Sequence, residues 1–129
     1  MNTRAPAILL IEKDEVTLEI YQRELSKSFT VFAFTEIDGV LETIINHDIR
    51  AVVIEPEICS GKGWELIDSI QRNYSARFIP VIVCSTRDAS REGPGKQVAE
   101  YLTKPVLPKT LREKTLEILG LSEKPRKSS

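Results

Sequence analysis

The chain has 129 residues, a formal net charge of -1 and a charged fraction of 29%. These values suit one globular domain and argue against a surface that binds nucleic acid throughout. Its two cysteines, Cys59 and Cys84, lie in no CxxC or Cys/His cluster, so we expect reduced thiols and no zinc site. Neither a leader peptide nor a membrane span is recognisable. We therefore expect a cytoplasmic protein that binds neither nucleic acid nor membrane.

The first part of the chain predicts two strand–helix units. Ile8–Ile11 is a short, wholly apolar run, typical of a strand covered on both faces, and Asp14 is placed to cap the helix that follows. That helix, from about 15 to 27, has apolar residues at helical spacing. The run Thr30–Phe34 predicts a second strand, and 37–46 a second helix. The residues expected to face the core from these two helices are Val16, Ile20, Tyr21, Leu25, Val40, Leu41, Ile44 and Ile45.

Three further strands are predicted, at Ala51–Ile54, Ile79–Cys84 and Val98–Thr103. Pro80 is expected at the start of its strand, where a missing N–H does least harm. Between the first two of these strands, a loop is indicated by Ser60, Gly61 and Gly63. The buried side of a third helix should then be formed by Trp64, Ile67 and Ile70.

The segment from Thr86 to Gln97 differs from the rest. It is polar and contains Gly93-Pro94-Gly95, which should interrupt a helix, so we expect a fourth helix that is shortened or irregular. A last helix is predicted to have Pro108 in its first turn and to stop at Gly120. Its inward-facing residues should be Leu111, Thr115 and Ile118.

Apolar strands separated by helical segments predict an α/β domain, with a doubly wound five-stranded parallel sheet and helices on both faces. The domain should span residues 7–120, between an N-terminal arm (1–6) and a disordered basic tail (121–129). In such sheets, ligands bind at the carboxyl ends of the strands.

Charged and hydroxyl groups follow four of the predicted strands. The first strand is followed by Glu12, Lys13, Asp14 and Glu15, the third by Glu55 and Glu57, the fourth by Ser85 and Thr86, and the fifth by Lys104-Pro105. Polar strand ends are common when taken singly. Because the carboxyl ends of parallel strands meet at one edge of the sheet, these complementary groups should converge on one pocket.

This pattern resembles the receiver domain of bacterial response regulators, the proteins of two-component signalling. The matching segments are Ile8–Asp14, Val52–Gly63, Pro80–Thr86 and Tyr101–Pro105. The resemblance implies a flavodoxin-like fold with strand order 2-1-3-4-5. It also implies a phosphorelay function, in which a histidine kinase phosphorylates an aspartate that follows the third strand.

The resemblance implies roles for individual residues. Glu55 stands at the phosphoryl-accepting position, and Glu12 at a position that holds magnesium through water. Lys13 stands where a direct magnesium ligand is expected, and Glu57 where a backbone carbonyl completes the metal site. The acidic pocket would comprise Glu12, Lys13, Asp14, Glu55 and Glu57, and the switch Ser85, Thr86, Tyr101, Lys104 and Pro105. In the family's pattern, the position of Ser85 bonds the phosphoryl group, that of Lys104 pairs with the acceptor or the phosphate, and that of Tyr101 is the aromatic switch.

Two departures fall on important positions of the family's pattern. The Lys13 ammonium has no lone pair to offer while it is charged, whereas magnesium prefers oxygen ligands. Glu55 moves the acceptor carboxylate out by one methylene, and phosphoryl transfer depends on positioning. We therefore expect a degenerate magnesium site at Glu12, Lys13 and Glu55, no cofactor and no enzymatic phosphoryl acceptance.

Two hypotheses describe the altered pocket. In the first, the Lys13 ammonium fills the space of the magnesium ion and pairs with Glu55, Glu12 or both, while Lys104 approaches Glu55 from the other side. Such pairing would relieve the repulsion between carboxylates. In the second, Glu55 imitates a phosphorylated aspartate with its carboxylate near Ser85. The alternative to the second is that Glu55 is a tolerated replacement in an inactive site.

The leading interpretation is a degenerate receiver of the pseudo-receiver type, which binds a protein partner without phosphorylation. The partner would be a histidine kinase, an effector protein, or a second copy bound through the face of the fourth helix, fifth strand and last helix. The alternative is a working phosphoacceptor that uses Glu55 with weak or atypical magnesium dependence. A flavodoxin-like enzyme or ligand-binding protein is disfavoured, because the loops lack a glycine-rich phosphate cradle.

Overall fold

A computed structural model describes residues 5–86 and 98–122. The strands in these ranges are β1 (Ala7–Ile11), β2 (Thr30–Phe34), β3 (Ile49–Ile54), β4 (Val81–Ser85) and β5 (Glu100–Thr103), and the helices are α1 (Glu15–Leu25), α2 (Val40–Asn46), α3 (Ile58–Arg72) and α4 (Pro108–Ile118). All strand pairs are parallel, in the order β2-β1-β3-β4-β5. The predicted doubly wound sheet and its strand order are confirmed. No helix in the two described ranges is long and apolar enough to cross a membrane.

The central strands are mostly apolar because helices cover both faces of the sheet. Successive side chains of a strand point to opposite faces, so Leu9 and Ile11 of β1 enter a core with α2 and α3. Ile8 and Leu10 enter a second core, which α1 and α4 cover. This double burial explains why Ile8–Ile11 of β1 and Ala51–Ile54 of β3 are continuous apolar runs rather than alternating patterns.

Helix α1 begins as predicted but buries a narrower stripe than expected. The Asp14 side chain accepts a hydrogen bond from the Thr17 amide at 2.9 Å and caps the helix. Tyr21 and Leu25 are buried, whereas Val16 is 67% exposed and Ile20 is 48% exposed. The inward prediction for Val16 and Ile20 is wrong, because at about 100° per residue Val16 lies about 180° from Leu25 on the helix.

Helix α2 is shorter than predicted and buries fewer residues. It begins at Val40 because Gly39 adopts a left-handed conformation with φ 85°. Val40 and Ile44 are buried, but Ile45 is 54% exposed, so its inward prediction is wrong. Ile45 lies about 100° around the helix from Ile44, beyond the stripe that the sheet covers.

The loop predicted before the third helix is a kink inside α3. Cys59, Ser60 and Gly61 have positive φ and interrupt the helical conformation. Gly63 follows in close contact with the preceding backbone, since a Cβ atom there would lie 2.6 Å from the Cα atom of Pro56. Farther along α3, Ile67 and Ile70 are buried and Trp64 is half-buried.

Strand β4 and helix α4 begin and end close to the predicted positions. Pro80 precedes β4, and its carbonyl accepts a hydrogen bond from Val52 at 3.0 Å. Pro108 opens α4, and Gly120 ends it with φ 70°. The inward residues Leu111 and Thr115 are buried and Ile118 is half-buried.

Some predictions concern parts of the chain outside the described residues. The shortened or irregular fourth helix falls in 87–97, and most of the basic tail falls in 123–129. The division into arm, domain and tail therefore stays a prediction.

Candidate functional site

The polar residues that follow the strands form a buried cluster at the carboxyl edge of the sheet. Glu12 follows β1 and Glu55 follows β3, and these side chains are only 2% and 3% exposed. Ser85 ends β4 and is 0% exposed, and the side chain of Lys104, which follows β5, is 14% exposed. Burial of this kind is costly for charged groups unless each has a partner.

Lys104 provides the positive charge of this cluster. Its Nζ atom lies 2.6 Å from Glu12 Oε1 and 3.5 Å from Glu55 Oε2. The other oxygens of these two carboxylates accept backbone N–H groups, from Asp14 at 3.1 Å and from Lys13 at 3.4 Å. All four carboxylate oxygens therefore have a donor, and one ammonium faces two carboxylates.

The electrostatics of the cluster follow from burial and from this sharing of one cation. Burial raises the pKa of Glu12, and the neighbouring Glu55 adds to the rise although Lys104 opposes it. Burial by itself would lower the pKa of Lys104, but the hydrogen bond and charge of Glu12 outweigh it, so this pKa lies above its ordinary value. The ammonium is thus held in its charged form.

Lys13 does not take part in the charge pairing that we predicted. Its residue is exposed, and no ion pair of its ammonium is found among residues 5–86 and 98–122. The hypothesis that Lys13 fills the pocket is wrong, and Lys104 occupies that role. The reason is the alternation of side chains at the strand end, which turns Glu12 inward and Lys13 outward.

Glu57 takes a part that the sequence did not predict. The Ser85 hydroxyl donates a hydrogen bond to Glu57 Oε2 at 2.7 Å. A hydroxyl has a single proton to donate, so Ser85 donates it to Glu57 and not to Glu55. The hypothesis that Glu55 imitates a phosphorylated aspartate stays a prediction. The second oxygen, Glu57 Oε1, is buried and has no hydrogen-bond partner within the described part of the chain.

Other predicted site residues lie around the cluster. The carboxylate of Asp14 caps α1, and hydrogen bonds from Thr17 lower its pKa, so of Asp14 only the amide reaches the cluster. Tyr101 is half-buried against the core of α2 and α3. Thr86 and Pro105 are exposed, and the Lys104-Pro105 peptide is cis.

Tyr21 is a further contributor that sequence reasoning treated only as a core residue. Its hydroxyl donates to the carbonyl of Val106 at 3.1 Å, which ties α1 to the loop that presents Lys104. Burial raises the pKa of Tyr21 above its usual range, and it raises the pKa of Cys84 to about 11. Only the contact across 85 positions of the chain reveals this role, so no local pattern could have indicated it.

The described residues contain no group of three or more His, Cys, Asp or Glu side chains arranged to hold a metal ion. The cluster instead satisfies its carboxylates internally, with Lys104 and two backbone amides. The oxygens of Glu12 and Glu55 are therefore already occupied by donors of the chain itself.

Comparisons with known proteins identify the fold. No protein-family model matches the chain, and no curated protein is similar in sequence. The chemotaxis response regulator CheY4 of Vibrio cholerae superposes with a TM-score of 0.79 at 15% identity, over 90% of this chain and 99% of that chain. A CheY-like response regulator receiver domain protein from Methanospirillum hungatei JF-1 gives 0.78 at 20% identity, over 89% and 94%. The BeF3-activated DrrB receiver domain gives 0.74 at 20% identity, over 88% and 97%.

The chain has the fold of CheY-like receiver domains. The predicted flavodoxin-like architecture is thereby confirmed. At these identities the likeness concerns the fold, and what the cluster does must be argued from its own chemistry.

Proposed function

We propose that this chain is a receiver module of two-component signalling that binds a protein partner without being phosphorylated, the pseudo-receiver type. The observation that supports it most strongly is the contact of 2.6 Å between Lys104 and Glu12, with Glu55 3.5 Å from the same ammonium. The groups that would handle a phosphoryl group are thus already paired with one another.

Glu55 is poorly placed to accept a phosphoryl group. In-line attack requires an oxygen that is open to the donor, yet Glu55 is 3% exposed and both of its oxygens have hydrogen-bond donors. Opening this oxygen would break contacts inside a buried ion cluster. We therefore favour loss of phosphoryl acceptance, and with it of enzymatic activity.

The proposal also holds that the module works without magnesium. Two arguments support it: Lys13 stands at a ligand position with a side chain that offers no oxygen, and the Lys104 ammonium already lies against Glu12. A divalent cation would have to displace that ammonium or bind beside it, where the two positive charges repel.

Glu57 supports the proposal from the other side of the cluster. The Ser85 hydroxyl, which the resemblance assigns to binding a phosphoryl oxygen, already donates to a carboxylate of the chain at 2.7 Å. We propose that Glu57 holds Ser85 in one position permanently, so that the partner meets a single state of this edge.

The partner would be a histidine kinase or an effector protein that recognises the carboxyl edge of the sheet. Leu107, 71% exposed in the loop after Lys104, offers an apolar contact there. The homodimer predicted through the fourth helix, fifth strand and last helix depends partly on 87–97, which lies outside the described residues, and stays a prediction.

The experiment is incubation of the protein with acetyl phosphate and magnesium, followed by intact-mass measurement. We expect no mass increase. The matched control is the double variant Lys13→Asp, Glu55→Asp, which restores an acceptor and a metal ligand and should gain one phosphoryl group. A phosphoryl gain on the unmodified chain would contradict the proposal and favour the working phosphoacceptor that uses Glu55.

A further inference from the structure

The turn between α3 and β4 carries two exposed aromatic rings and an arginine between them. Tyr74 is 82% exposed and Phe78 is 85% exposed. The Arg77 guanidinium lies 4.9 Å from the centre of the Tyr74 ring and 4.7 Å from that of Phe78. We call Tyr74, Arg77 and Phe78 the aromatic clamp. Exposed apolar groups that cluster beside a charged group are candidate interaction sites.

The aromatic clamp lies on a turn that is closed by several hydrogen bonds. The Asn73 side chain accepts a hydrogen bond from Ser75 N at 2.9 Å, and the Asn73 carbonyl accepts from Ala76 at 3.0 Å and Arg77 at 2.9 Å. Ala76 is fully buried and anchors the turn to the core. These hydrogen bonds restrain the backbone that carries the rings. Binding therefore costs less conformational entropy than it would on an unrestrained loop.

The composition of the aromatic clamp indicates what it would bind. Tyrosine and arginine are enriched among the residues that dominate protein–protein binding energy. Stacking on the two rings leaves the edge N–H groups of Arg77 free for a carboxylate, and Arg77 forms no ion pair within 5–86 or 98–122. A matching surface therefore has two apolar side chains beside a carboxylate.

The outer side of α1 has this character. Val16 and Ile20 are 67% and 48% exposed and are neighbours at the i, i+4 spacing of a helix. Glu15 and Glu19 lie alongside them at the same spacing. Glu19 is 75% exposed and pairs with Arg23 at 3.4 Å, an exposed contact that contributes little. We call Glu15, Val16, Glu19 and Ile20 the α1 stripe.

One molecule cannot bring these two surfaces together. Helix α1 packs in the core on one face of the sheet, whereas α3, which leads into the aromatic clamp, packs in the core on the other face. We propose that the aromatic clamp binds the α1 stripe of a second copy of this chain. The inference does not depend on the proposed function, because neither surface includes a residue of the buried cluster.

Such a contact joins different surfaces of the two copies. If the same two copies also make the reciprocal contact, they close a twofold dimer; if they do not, one clamp and one stripe stay free and the contacts build rings or open chains. The two patches are small, and interfaces of less than about 1,200 Å² are typically weak and transient. Association should therefore increase with concentration and weaken with added salt.

The test uses charge exchange on the full chain, followed by sedimentation velocity at increasing concentration. The variants are Arg77→Glu and Glu19→Lys. At exposed sites elsewhere, Lys62→Glu is a control with the same change of charge as Arg77→Glu, and Glu65→Lys is a control with the same change as Glu19→Lys. Circular dichroism establishes that each variant is folded.

We expect the unmodified chain and both controls to associate as concentration rises. Each single exchange should abolish association, because it places like charges opposite one another. An equimolar mixture of Arg77→Glu and Glu19→Lys should associate again, since every contact then has opposite charges. A chain that stays monomeric, association that survives Arg77→Glu, or a mixture that stays monomeric would each overturn the proposal.

Discussion

Replacing Lys104 by methionine should remove a large part of the stability of the domain. Methionine keeps an unbranched side chain but removes the charge. The change would leave Glu12 and Glu55, which are 2% and 3% exposed, as neighbouring buried carboxylates without their cation. Nothing else among the described residues provides either carboxylate with a positive partner.

The magnitude follows from the two distances. At an effective dielectric constant of about 20, unit charges attract by about 6 kcal/mol at 2.6 Å and about 5 kcal/mol at 3.5 Å. Desolvation of the ammonium offsets much of this, and removing one partner of a buried pair typically costs about 3–5 kcal/mol. Since domains of this size are stable by only about 5–15 kcal/mol, Lys104→Met should come close to unfolding the protein at neutral pH.

The loss of stability caused by Lys104→Met should become smaller as pH falls. The pKa of Glu12 is already raised by burial, and loss of Lys104 raises it further, so Glu12 in the variant binds a proton more readily when folded than when unfolded. The variant is therefore more stable at low pH, and it loses this stability as pH rises through the raised pKa of Glu12. The difference from the unmodified chain should shrink on acidification.

Urea unfolding at about pH 5 and about pH 8 measures the loss of stability. The proteins compared are the unmodified chain, Lys104→Met, and the double variant Lys104→Met with Glu12→Gln. The double variant removes one uncompensated charge, so at the higher pH it should recover more than half of the loss. A cost below about 1 kcal/mol, in the range of an exposed ion pair, would refute the account, and so would a cost that is the same at both pH values.

Three other predictions concern single contacts. Ser85→Ala removes the donor to a carboxylate and should cost about 1–3 kcal/mol in urea unfolding, while Ser85→Thr, which keeps the hydroxyl, should cost less; equal costs would contradict a role for the hydrogen bond. Gly63→Ala places a Cβ atom 2.6 Å from backbone and should cost about 1–3 kcal/mol, whereas Ser69→Ala on the same helix should be nearly neutral. Lys104 has a raised pKa in the folded protein, so the stability that its charge contributes is lost as pH rises through that pKa. The midpoint of alkaline unfolding, followed by circular dichroism, should therefore lie at lower pH in Glu12→Gln. An unchanged midpoint would count against the pairing of Lys104 with Glu12.

The sequence predicted those features that depend on local pattern. The apolar runs located all five strands because helices cover both sheet faces, and Asp14 marked the start of α1 by its capping side chain. The rule for parallel sheets brought Glu12, Glu55 and Lys104 to one edge, where they are in contact.

The sequence did not determine how those side chains pair. Charge counting at the edge allowed Lys13 or Lys104 to serve as the cation, and only the direction of each side chain decides between them. The contact of Glu57 with Ser85 spans 28 positions, and Glu57 lies directly before α3, so no local pattern indicates it. Apolar spacing likewise overestimated the buried stripe of α1, since Val16 fits a helical pattern yet faces away from the sheet.

The central claim is that the chain's own charge pairs close this pocket. Its most direct test is a titration with magnesium and beryllofluoride, the group that activates the DrrB receiver domain. The titration is followed through the amide NMR signals of Glu12, Glu55, Ser85 and Lys104. The account predicts that these signals stay in place, while the same signals shift in the variant Lys13→Asp, Glu55→Asp. Saturable shifts in the unmodified chain would contradict it.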